Sequence, residues 1–87
     1  MEYLSPSETL TVRNRIVAAT RLGRVQDWNE RIGEIADAGN VDISEICWTQ
    51  SPNKVAQAVV DSANQRLEIA LLERAIDAYE KGHPNST

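Results

Sequence analysis

Little in this chain could support chemistry. A lone cysteine, Cys47, excludes an internal disulfide and a cysteine metal cluster. In its Ile-Cys-Trp setting it is expected to be a small buried apolar residue. The lone histidine, His83, sits in a Gly-His-Pro-Asn stretch of polar tail, away from any positioned base or nucleophile. Gly23, Gly33, Gly39 and Gly82 are scattered singly, so no glycine-rich loop can cradle a phosphate. No His-x-x-x-His, Cys-x-x-Cys or calcium-loop spacing occurs. Phenylalanine is absent and Tyr3, Trp28, Trp48 and Tyr79 are the only aromatics, so Leu, Ile, Val and Ala must build the core. Basic excess is missing too. A formal net charge of −4 argues against a nucleic-acid-binding module. No run approaches the ~18 apolar residues of a membrane span. The opening MEYLSPSE lacks the basic region and apolar run of a secretory signal, and the expectation is a cytoplasmic protein that uses no cofactor and is not an enzyme.

What the chain does have is helical periodicity. Its 87 residues are read as one domain, 1–87, with an ordered core over about 5–81 and a polar tail at 82–87. Ser5-Pro6-Ser7-Glu8 is a helix start: Ser5 caps, Pro6 fits the first turn, and the Glu8 carboxylate reaches back. This first helix is predicted to run to about Arg21, with Leu10, Val12, Ile16, Val17, Ala19 and Leu22 as its apolar residues and Gly23 as its stop. A second, Val25 to Ala38, lines one side with Val25, Trp28, Ile32, Ile35 and Ala36 and stops at Gly39-Asn40. Gly33 inside it costs roughly 1 kcal/mol relative to Ala, marking either a close helix crossing or a tolerated weak point. Asp42-Ile43-Ser44-Glu45 repeats the capping-box pattern and predicts a short helix with Ile43, Ile46 and Cys47 facing in. Trp48 then reads in two ways, as a core or rim filler or as an exposed binding anchor.

The longest apolar face lies between Ser51 and Tyr79. Val55, Val59 and Ala63 step by four, and Leu67, Leu71, Ala75 and Tyr79 continue the step. A row spaced strictly by four drifts about 40° per step around the cylinder, so it cannot face one partner for its whole length. The expectation is a break near Asn64–Arg66, against the alternative of one continuous helix. The fold expected is all-α, a compact bundle of about five helices.

Carboxylate pairs such as Glu30 with Glu34, and Glu73 with Asp77, share helix faces and read as solvated surface. The charge distribution says more. Arg13, Arg15, Arg21 and Arg24 lie between Glu8 and Asp27 with no acid among them, while acids dominate from Asp27 onward. Residues 1–40 carry −1 and residues 41–87 carry −3. Such segregation is either an ordinary mixed surface or a pair of complementary patches that steer association. Read the second way, Arg13, Arg15, Arg21 and Arg24 form a basic interaction surface, and Glu68, Glu73, Asp77 and Glu80 an acidic one.

The run VDISEICWTQSPNKVAQAVVDSANQRLEIALLERAIDAYEKGHPN resembles the bacterial effector-associated domain family, first type. The residues that carry the likeness are Val41-Asp42-Ile43, Ile46, Ser51-Pro52, Val55, Val59-Val60, Ala63, Gln65-Arg66-Leu67, Leu71-Leu72, Ala75 and Pro84-Asn85. It departs from the family at the junction, where Asn64-Gln65-Arg66 stands in place of a common glycine. The resemblance implies a death-fold-like adaptor of bacterial conflict or immune-type systems, which recruits by association with a similar helical domain or with itself. It implies no catalytic residue. An alternative from another class is a small regulatory or inhibitory subunit that binds one effector enzyme without self-association.

Overall fold

Among the described residues, four α-helices and one short 3-10 turn surround a common core: α1 Pro6–Thr20, α2 Val25–Ala38, the turn Ile43–Glu45, α3 Pro52–Gln65 and α4 Ile69–Gly82. The computed structural model describes residues 3–21 and 23–82. Leu22, His83 and the tail, all of which figure in the sequence expectations, lie outside the described residues.

The first helix begins as its sequence dictates. The Ser5 hydroxyl accepts from the Glu8 N–H, and the Glu8 carboxylate accepts from the Ser5 N–H at 2.9 Å. Its buried face differs from the one expected. Thr9, Val12, Ile16, Ala19 and Thr20 turn inward, while Leu10 is 43% exposed. The two threonines are tolerated inside because their hydroxyls bond back along the helix, Thr9 to the Pro6 carbonyl and Thr20 to that of Ile16. Thr20 Oγ1 also accepts from the Trp28 indole N–H at 3.1 Å, linking α1 to α2.

The short helix expected after Asp42 shrinks to three residues, so the bundle has four α-helices rather than five. Asp42 does cap it, accepting from the Ser44 N–H and hydroxyl. Glu45 completes no capping box and lies 3.7 Å from Arg66 instead. The backbone is extended again at Ile46, because Asn29 holds the segment that follows: its Nδ2 donates to the carbonyls of both Trp48 and Gln50. Within this segment Ile46 is buried, whereas Ile43 and Cys47, also expected inside, are exposed. Three residues cannot present a whole helical face to the core.

The break between α3 and α4 falls where the drift argument put it. Glu68 N–H bonds the Ala63 carbonyl at 2.8 Å and Leu67 N–H bonds that of Asn64, a Schellman closure with Leu67 at φ 57°. The turn resets the helical phase. Leu67 and Leu71, expected on the inner row, are turned out, and Ile69, Leu72, Ala75, Ile76 and Tyr79 face the core. The end of α2 closes in the same way, with Val41 N–H on the Ala36 carbonyl and Asn40 at φ 63°. Gly39 serves another purpose there: a Cβ on it would stand 3.1 Å from the Leu72 Cα, so its absence lets α2 approach α4.

Candidate interaction surfaces

The arginines of the expected basic surface meet different fates. Arg15 is bound within the molecule, its guanidinium 2.6 Å from Asp77 and 3.0 Å from Glu80 on α4. The hydrogen bond to Asp77 is the main cause that raises its pKa above the ordinary arginine value. Arg24 pairs with Asp27 at 3.0 Å, and Arg13 donates to the Asn14 side-chain oxygen. Arg21, at the end of α1, is exposed and has no hydrogen bond or ion pair with a described residue. The structure therefore leaves Arg13 and Arg21 with no carboxylate partner among the described residues and joins Arg15 to two members of the expected acidic surface. Of that acidic set, the carboxylates of Glu68 and Glu73 alone lack a bonded partner among the described residues.

Trp48 is half-buried and packs against the core, as the rim filler of its two expected readings. Its indole N–H donates to the Ile43 carbonyl at 2.9 Å. Its ring lies along α2 over Gly33, whose added Cβ would meet the ring at 3.5 Å. Gly33 thus marks a bed for an aromatic ring rather than a helix crossing.

The ring forms one wall of an open groove of about 780 Å³ between α2 and the 3-10 turn. Its apolar lining is Val25, Gly33, Ile43 and Trp48, and Glu30, Glu34 and Asp37 stand along it. Val25 is 53% exposed and Ile43 42%. The three carboxylates have no bonded partner among the described residues, whereas Glu8, Asp27, Asp42, Glu45, Asp61, Asp77 and Glu80 all have one. Asn29 lies at the base of the groove, 4% exposed, with both amide hydrogens committed and its Oδ1 unpaired.

Compared with family models, with curated proteins and with solved structures, the chain matches none. Its surfaces are therefore read from their own geometry.

The groove was hidden in the sequence. Glu30 and Glu34 read as solvated surface, and Val25 and Ile43 read as core because apolar residues near helix starts are counted inward by periodicity. The signal that points to it is the coincidence of Gly33 with a tryptophan fifteen residues later, which only packing brings together.

Other chemistry finds little footing. Among the described residues no cluster of three or more His, Cys, Asp or Glu could hold a metal ion, and no helix is long and apolar enough to cross a membrane. The exposed Cys47 thiol lies 3.2 Å from the Thr49 hydroxyl, whose hydrogen bond holds its pKa below the ordinary value. Hydrogen bonds from Ser5 and Ser44 likewise depress Glu8 and Asp42, both of them serving as helix caps.

Proposed function

We propose that the chain is a non-catalytic interaction domain that works by homotypic association, with another copy or with a matching helical domain on an effector. The observation that carries this reading is the division of unpaired charge between helices. Arg13 on α1 and Arg21 at its C-terminal cap have no carboxylate partner among the described residues, nor do Arg74 and Lys81 on the outer side of α4, while the unpaired carboxylates Glu30, Glu34 and Asp37 stand together on α2. Opposite potentials on different faces steer like molecules together and set their orientation. The likeness of residues 41–85 to effector-associated domains supports the same reading, and with it a death-fold-like helical arrangement and a cytoplasmic adaptor role in a bacterial conflict system, while the net charge of −4 argues against nucleic-acid partners.

Sedimentation velocity over a concentration series tests this. The expected result is a mass that rises with concentration and falls back as salt screens the charges. Reversing Arg13 and Arg21 together to Glu is expected to slow association and flatten its salt dependence while leaving the helical circular dichroism unchanged. A chain that stays monomeric, yet forms a one-to-one complex with an effector enzyme, would favour the inhibitory-subunit reading instead.

A further inference from the structure

Among the described residues, apart from Tyr3 and Leu10 near the N-terminus, the large apolar side chains left exposed fall in two places. Val25 and Ile43 line the α2 groove, and Leu67 and Leu71, each 39% exposed, sit at the entrance and first turn of α4. The two places differ in shape and in charge. The groove is concave and bordered by Glu30, Glu34 and Asp37. The outer face of α4 is a convex ridge, where Leu71 is followed by exposed Arg74, Ala78 and Lys81. Neither cation has a carboxylate partner among the described residues, since the acids of α4 that are paired, Asp77 and Glu80, turn toward Arg15 on α1.

Spacing strengthens the match. Arg74 and Lys81 are seven residues apart on α4, and Glu30 and Asp37 are seven apart on α2, which places each pair about 10 Å apart along its helix. Leu67 adds a second observation. A leucine at φ 57° occupies a conformation in which Gly or Asn is less strained, and strain of this kind persists where the side chain has a task. In its own molecule that side chain is half out in solvent.

We infer that the α4 ridge of one copy docks in the α2 groove of a second copy. Leu67 and Leu71 enter beside Trp48 and Ile43, and Arg74 and Lys81 face the carboxylates of α2. This rests on the homotypic reading above and names its contact. The two faces are different, so each added copy keeps one groove or one ridge open, and assembly proceeds in series rather than ending at a symmetric pair.

The test uses the whole chain and two variants with one face altered: Glu34→Arg in the groove and Leu71→Glu on the ridge. Wild type is expected to grow beyond a dimer in sedimentation velocity at concentrations up to millimolar, and each variant to self-associate at least about tenfold more weakly. Mixing the variants is the decisive arm. The groove variant keeps its ridge and the ridge variant keeps its groove, so the mixture is expected to form a heterodimer and stop there. Arg74→Glu, at an exposed position, carries the same test should Leu71→Glu lose helical circular dichroism. If wild type assembles and the variants assemble equally well, or the mixture stays monomeric, the contact lies elsewhere and homotypic association stands without it. If wild type stays monomeric at millimolar concentration, both readings fall.

Discussion

Two glycines, Gly33 within α2 and Gly39 at its C-terminal cap, show how one missing Cβ can mean opposite things. At Gly39 a methyl group would lie 3.1 Å from both the Cα and the Cδ1 of Leu72 and 3.4 Å from the Ile35 carbonyl. The backbone of α4 cannot yield as a flexible side chain would. Gly39→Ala is expected to cost about 1–3 kcal/mol, the usual range for overpacking. At Gly33 the added methyl would meet only the Trp48 ring, at an ordinary 3.5 Å. Here the gain in helix propensity dominates, and Gly33→Ala is expected to stabilise by up to about 1 kcal/mol. Urea unfolding of the two variants checks the contrast: if both move the midpoint in the same direction, the close approach of α2 to α4 at Gly39 is not as described.

At the scale of elements, the segment between α2 and α3 depends on one side chain. Asn29 reaches from α2 to hold the Trp48 and Gln50 carbonyls at 3.0 and 2.9 Å, and this segment carries the aromatic wall of the groove. Asn29→Ala removes both donors and leaves two carbonyls to find water, at a cost of about 1–3 kcal/mol. Amide hydrogen exchange is expected to quicken at residues 46–51 by more than at the centre of α3. Uniform acceleration across the chain would show instead that Asn29 supports the whole core. The N-terminal strand of chain before α1 is tied in a comparable way, Asn64 Oδ1 accepting from the Leu4 N–H at 2.8 Å and its Nδ2 donating to the Leu4 carbonyl.

For the molecule as a whole, stability resides in the apolar core and not in the ion pairs that cross it. Arg15, Asp77 and Glu80 have side chains 35%, 58% and 44% exposed, so solvent screens their attraction and Arg15→Ala is expected to cost about 1 kcal/mol or less. Leu72 is fully buried between helices, and Leu72→Ala is expected to cost about 2–5 kcal/mol through lost transfer energy and the cavity left behind. Comparable losses in denaturant unfolding for the two variants would contradict this ranking.

Local chemistry settled much of the structure in advance. The Ser5–Glu8 capping box, the start of α3 at Pro52 and the end of α2 at Asn40 each depend on residues within a few positions, so they can be read along the chain. The break before α4 was legible for a related reason: a strict step of four rotates away from any single partner. Which apolar residues would be buried was only partly legible. Periodicity ranks Leu10, Ile43, Cys47 and Leu71 as inward, but a hydroxyl bonded to its own helix lets Thr9 and Thr20 take inner places, and the reset of phase at Leu67 turns Leu71 out while Leu72 is buried. The charge surfaces were the least legible. Arg15 and Asp77 are sixty-two residues apart, and only the packing of α1 beside α4 makes them a pair. Sequence by itself located the caps and turns that bound the four long helices to within a residue or two, because these act over short range, but it also counted the three-residue turn after Asp42 as a fifth helix. Tertiary structure alone decided which charges remain unpaired and which apolar side chains border a groove, because both depend on what a distant helix brings alongside.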